Sequence, residues 1–114
     1  MRFPLKIETH DRKLGFDIAG IGNSLSSGTV VEAPGGVNVE YQGTYVRKAI
    51  GIPEILEFVV DASVTIDLGL FSAWLYDKVK DKPVERIVIR RKEITVITED
   101  NIRKALEEEI NITK

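Results

Sequence analysis

The sequence predicts one α+β domain over residues 1–114: β-rich over 1–50, a long central helix over 53–80, and a ββα unit over 84–110. Two observations predict this class. Apolar and polar residues alternate in short runs towards both ends of the chain, which is the period of a β-strand. Between them lies the most apolar part of the chain, within residues 53–80, which is long enough for a helix of about eight turns. A chain of 114 residues can bury a core of its own.

The first fifty residues predict β-hairpins. Phe3, Leu5 and Ile7 alternate with polar residues, as expected of a strand with one buried face. Two β-branched runs flank the sequence Ala33-Pro34-Gly35-Gly36, in which proline and glycine favour a tight turn. The glycine- and serine-rich segment 20–29 lacks the lysine of a phosphate-binding loop and is interpreted as a surface loop, its role left open.

The central segment, residues 53–80, predicts a helix. Pro53 suits a first helical turn and Glu54 would complement the helix dipole there. The β-branched run 64–66 followed by Asp67 could instead break the helix. Asp67 would then be the N-cap of a second helix, residues 68–80. Both alternatives stay open.

This helix would be apolar on most of its circumference, so two of its sides must be covered. A bilayer is disfavoured, because Asp61 and Asp67 near the centre would cost roughly 5 to 7 kcal/mol. The remaining covers are the protein's own β-layer and a second copy of the chain. The stripe that would admit another backbone is the predicted interface of a homodimer: Ala62, Ile66, Gly69 and Ala73.

Asp67 is the charged residue in this apolar surrounding, and an isolated buried carboxylate is costly. It is therefore expected to have a polar partner, either an arginine of the later basic segment or a backbone N–H at a helix start. The competing hypothesis is a small-ligand or hydrolytic site near Asp67 and Trp74.

The C-terminal third predicts two strands and a helix. Ile87 and Ile89 alternate in the first strand and Ile94 begins the same pattern in the second. Thr98 is placed to cap a helix whose first turn is acidic. The apolar stripe of that helix consists of Ile102, Ala105, Leu106 and Ile110.

Composition argues against most catalytic chemistry. The chain has no cysteine and one histidine, His10, so no catalytic residue, cofactor or transition-metal site is predicted. The net charge of −2 hides alternating acidic and basic segments, which can neutralise one another internally. The basic segment, residues 78–92, lacks aromatic residues between its cations, which argues against nucleic-acid binding.

The N-terminus lacks the apolar run of a signal peptide, so a cytoplasmic location is expected. We expect a non-catalytic interaction or assembly module that forms a homodimer through the central helix, with a further protein partner left open.

Overall fold

The computed structural model describes residues 1–20, 24–46, 51–62 and 66–112. Along these residues the elements are, in chain order, β1 (Arg2–Thr9), α1 (Leu14–Ala19), β2 (Val30–Ala33), β3 (Val37–Tyr45), β4 (Glu54–Ala62), α2 (Leu68–Val79), β5 (Val84–Ile89), β6 (Lys92–Ile94) and α3 (Glu99–Ile112).

The strands form one antiparallel sheet in the order β2-β3-β4-β1-β5-β6. One face of the sheet is buried: Phe3, Leu5 and Ile7 of β1 join the buried side chains of the three helices in one cluster. The other face is polar and charged. Cross-strand ion pairs join Arg2 to Asp61 at 3.9 Å and Lys6 to Glu57 at 3.7 Å on that face. The fold is therefore one sheet with a helical layer on a single side.

The predicted long central helix is wrong. Residues 54–62 form β4, which lies in the interior of the sheet between β3 and β1. Leu56, Phe58 and Val60 are buried, while the residues between them are partly exposed, so this segment has the period of a strand. The helical interpretation failed because apolar residues also occupy the outward positions 55 and 59. A strand with a neighbour on each side tolerates apolar residues on both of its faces.

Of the broken alternative, only the second helix is confirmed, with Asp67 as its N-cap; residues 54–62 form a strand, so no helix is interrupted there. Asp67 is extended, with ψ +99°, and its Oδ1 accepts a hydrogen bond from the Leu70 N–H at 3.0 Å. Helix α2 follows directly. Val64 and Thr65, which were predicted to interrupt the helix, lie outside the described residues.

The N-terminal hairpins fit in part. The hairpin around Pro34 and Gly35 is present as β2 and β3. Strand β1, however, forms no hairpin with the next strand; it pairs with β4 and β5, both distant in sequence.

The C-terminal ββα unit is confirmed. Strands β5 and β6 pair with Ile87 opposite Ile94, and both side chains are buried. Arg90 makes the turn at a φ of +56°. Thr98 Oγ1 accepts a hydrogen bond from the Asn101 N–H at 3.0 Å, so Thr98 caps α3, and Leu106 is fully buried. None of the helices in the described residues is long and apolar enough to cross a bilayer.

Candidate functional site

Helix α2 packs through one side and presents the other to solvent. Phe71, Leu75 and Val79, at i, i+4 and i+8, are all buried in the core. The helix contacts both α1 and α3, so it lies between them in the helical layer. Its solvent-facing side is therefore near the middle of that layer.

The start of α2 is held by the turn between β2 and β3. The Asp67 N–H donates to the Gly35 carbonyl at 2.9 Å. Gly35 has a φ of +94°, and a Cβ placed on it would lie 2.5 Å from the Asp67 carbonyl oxygen. Positive φ and close approach both require glycine here. The hairpin thereby fixes where the helix begins.

We define the outer surface of α2 by Gly69, Leu70, Ala73 and Trp74. Leu70 is 53% exposed, and Gly69 and Ala73 beside it are exposed and small. Trp74 is half-buried: its ring stacks on Phe71, with 5.8 Å between centroids. The ammonium group of Lys78 lies 5.8 Å from the indole centroid, a cation–π distance. This surface combines an exposed leucine with room for close approach of another backbone.

The predicted interface residues do not form one stripe. Ala62 belongs to β4 and is buried, and Ile66 precedes α2 and packs partly against the core. Only Gly69 and Ala73 lie together on the exposed side of α2. The stripe was drawn on a helix that continues through residue 62, and the strand replaces that part of it.

Asp67 and Trp74 lie at different levels of the same helix. Seven residues of helical rise separate them by roughly 10 Å. The Asp67 carboxylate caps the helix, which confirms the prediction of a polar partner and identifies it as a backbone N–H. Trp74 is engaged with Phe71 and Lys78 instead.

The basic segment is largely neutralised by acids from other elements. Arg86 pairs with Glu8 at 3.3 Å and with Glu93 at 3.2 Å. Lys92 Nζ lies 2.8 Å from Glu108 of α3, and this hydrogen bond raises the pKa of Lys92. Internal pairing between the charged segments is thus confirmed for these cations.

Three cations of this segment form no ion pair with a described residue, and one of them, Lys78, lies over the Trp74 ring instead. Arg90 and Arg91, at the turn between β5 and β6, form no ion pair with any described residue. Their guanidinium groups leave positive charge at that turn.

His10 pairs with a residue that its position in the sequence does not suggest. His10 Nε2 lies 2.8 Å from Glu85 Oε1, at the start of β5. Its backbone N–H also donates to the Pro83 carbonyl at 2.9 Å. The pair ties the end of β1 to the start of β5. Within the described part of the chain, no three His, Asp or Glu side chains are placed to share a metal ion.

Glu109 was missed by the sequence reasoning. It is only 6% exposed, and its Oε2 has no hydrogen-bond partner among the described residues. The spacing in the sequence indicates this burial, because Glu109 stands at i+7 from Ile102 and at i+3 from Leu106, on the buried stripe of α3. One oxygen of this carboxylate is therefore buried without a hydrogen-bond partner among the described residues, although the charge of Lys92 acts on the group.

The class that the fold defines is a two-layer protein, one six-stranded antiparallel sheet covered on one face by helices. Comparison with protein-family models, with curated proteins and with solved structures finds no match for this chain.

Proposed function

We propose that this protein is a small non-catalytic interaction module that forms a homodimer through the outer surface of α2. The observation that carries the proposal is the exposure of Leu70, 53%, between two small exposed residues on a helix whose other side is fully buried. Small residues let the axes of two helices approach closely, and a leucine can then fill the groove of the facing helix. The non-catalytic part rests on the sequence, with its single histidine and no cysteine.

An antiparallel pairing of two α2 helices suits the charges at the helix ends. Asp67 stands at the start of α2, and Lys78 stands in its last turn, where Lys80 is already paired with Asp77 at 3.1 Å. A two-fold axis through Ala73 would bring the acidic end of one copy to the basic end of the other, and the helix dipoles would oppose. The contact is self-complementary, as a two-fold interface requires.

The size of this surface sets the expected affinity. Helix α2 has 12 residues and is therefore about 18 Å long. One helix of this length buries less surface than a standard stable interface, so the dimer should dissociate at a concentration on the order of micromolar or above. Its mass should consequently depend on protein concentration.

The test is sedimentation velocity over a concentration series, with Leu70→Glu as the disrupting variant. Residue 70 is three positions after the N-cap Asp67, where a glutamate suits the helix start. Leu70→Glu should therefore leave the monomer folded while it places two like charges in the interface. Val30→Lys is the matched control: Val30 is 52% exposed, on edge strand β2, and lines a shallow cavity with Asp61 and Arg2, away from α2.

The proposal predicts that wild type and Val30→Lys dimerise with increasing concentration and that Leu70→Glu stays monomeric. Wild-type thermal stability should also rise with concentration. A wild-type protein that is monomeric up to about 1 mM would refute the proposal, because an affinity weaker than that has no functional weight.

The alternative function, a ligand-binding or hydrolytic site near Asp67 and Trp74, has less support. One Asp67 oxygen is engaged in capping and the Trp74 ring is stacked on Phe71. A free aromatic face beside a free carboxylate would have favoured it.

A further inference from the structure

Strand β6 is the last strand of the sheet, so only one of its sides is paired. It pairs with β5, and alternate residues of β6 direct their backbone N–H and C=O groups away from β5. Unpaired edge groups of this kind are a template for another extended chain.

A groove lies between this edge and helix α3. The cavity has a volume of about 310 Å³ and is lined on the strand side by Lys92, Ile94 and Val96. On the helix side it is lined by Asn101, Lys104, Glu108 and Ala105, and the small Ala105 side chain is itself buried. The groove therefore has a backbone edge on one wall and a helix on the other.

The two ends of the groove differ. At one end the Asn101 side-chain amide donates to the Val96 carbonyl at 2.8 Å, so α3 closes the strand there. The other end, at Lys92, adjoins the turn of Arg90 and Arg91, and neither arginine forms an ion pair with a described residue. Inside the groove the Val96 side chain is 66% exposed, although it is large and apolar.

We infer that this groove binds an extended acidic peptide segment of another protein, which adds to β6 as a further strand beside α3. Strand addition satisfies the edge N–H and C=O groups of β6. An apolar side chain of the peptide contacts the exposed Val96. An acidic side chain reaches the positive turn, where Arg91 has no ion-pair partner among the described residues.

The charge favours an acidic peptide over a second copy of this chain. Self-pairing of two β6 strands would add Arg90 and Arg91 of a second copy to the same short edge. The charges that line the groove itself are paired: Lys92 with Glu108 at 2.8 Å, Lys104 with Asp100 at 3.2 Å, and Glu93 with Arg86 at 3.2 Å. The positive charge at the turn, which no described residue neutralises, therefore remains for an acidic partner. The inference does not rest on the α2 dimer.

The probe is a fluorescein-labelled heptapeptide, Thr-Glu-Thr-Val-Thr-Glu-Thr. Its sequence is the same in both directions, so the direction of strand addition does not matter. Its glutamates and valine share one face, as alternate residues of a strand do. Two control peptides are matched to it. One has lysine for both glutamates, and the other carries N-methyl groups on the central valine and the following threonine.

Binding is measured by fluorescence anisotropy, and the site is mapped from backbone amide NMR shifts. Arg91→Glu is the test variant, and Lys13→Glu, the same charge change on an exposed residue before α1, is its control. We expect saturable binding, with shifts concentrated in residues 92–96 and 101–108. Arg91→Glu should weaken binding about three- to tenfold and Lys13→Glu should leave it unchanged.

The controls separate strand addition from simple charge attraction. N-methylation removes two adjacent donors and blocks pairing in either register, so the methylated probe should lose saturable binding. Equal binding of the methylated or the lysine probe, or no saturable binding of the parent probe up to about 1 mM, would overturn the inference. Self-association that persists in Leu70→Glu and is competed by the probe would place a second copy in the groove, and would overturn it as well.

Discussion

The turn that holds the start of α2 can be tested with two alanine substitutions. Gly35 and Gly28 have nearly the same backbone conformation, with φ of +94° and +91°. A Cβ on Gly28 meets nothing within 4 Å, whereas a Cβ on Gly35 would lie 2.5 Å from the Asp67 carbonyl oxygen. Gly28→Ala therefore reports the cost of a positive φ alone, and Gly35→Ala adds the steric conflict.

The expected magnitudes follow from these contacts. A positive φ costs alanine about 1 kcal/mol once the reduced entropy of the unfolded chain is counted. At Gly35 the conflict also displaces the Asp67 backbone, whose N–H bond to Gly35 contributes about 1 kcal/mol. The N-cap at Asp67 contributes about 1 kcal/mol more. We expect Gly28→Ala to lower the free energy of unfolding by about 1 kcal/mol and Gly35→Ala by about 3 kcal/mol.

The assay is urea unfolding followed by the fluorescence of Trp74, the only tryptophan, which lies on α2 itself. The slope of the transition should be the same for both variants, so that the midpoints report stability. Equal losses of stability for the two variants, within about 0.5 kcal/mol, would show that the Gly35 carbonyl does not hold the start of α2.

Four further predictions concern other elements. Leu106→Ala should lower the free energy of unfolding by about 2–5 kcal/mol, because the side chain is fully buried; a change below 0.5 kcal/mol would remove α3 from the core. Glu109→Leu should raise the free energy of unfolding by about 1–3 kcal/mol, because the substitution removes a buried oxygen without a partner among the described residues. A lower stability in urea would mean that the carboxylate makes a stabilising interaction in the wild type. Asp67→Ala should lower the free energy of unfolding by about 1 kcal/mol, and the variant should lose its helical circular dichroism signal at a lower urea concentration than wild type. No change in either quantity would exclude capping. The hydrogen bond from Lys104 lowers the pKa of Asp100. This pair therefore stabilises the fold above the ordinary carboxyl pKa of about 4, and the stabilisation is lost as the pH falls through the lowered pKa. Lys104→Met should reduce the acid dependence of the urea midpoint below about pH 4.

Local features of this fold were predictable from sequence, and long-range pairings were not. The Thr98 cap, the stripe around Leu106 and the turn at Gly35 depend on residues a few positions apart, and each is present in the structure. The segment 54–62 could not be decided locally. Its apolar residues fit both periods, and only its pairing with β1 and β3 selects the strand.

The candidate surface was predictable in part for the same reason. Gly69 and Ala73 were recognised as small residues on one side of a helix, and they are exposed there. The exposure of Leu70 was not predicted, because the helix was assumed to be about twice its actual length and covered on two sides. Once β4 takes the first half of the apolar run, the side of α2 that carries Leu70 loses its expected cover. The exposure of a helix side is set by which elements pack on it, and that depends on the sheet order.

The place of β1 in that order has a consequence for how the chain folds. Arg2 pairs with Asp61 and Lys6 with Val88, so β1 can be placed in the sheet only when both of its later neighbours are available. Before that, β2, β3 and β4 can form one small sheet and β5 with β6 a hairpin, but β1 does not yet join them. Such distant pairings place folding in the slow range of small domains, milliseconds to seconds. In a nascent chain Phe3, Leu5 and Ile7 of β1 would stay uncovered until the later strands and the helices that pack on them have emerged, which exposes this strand to aggregation during synthesis.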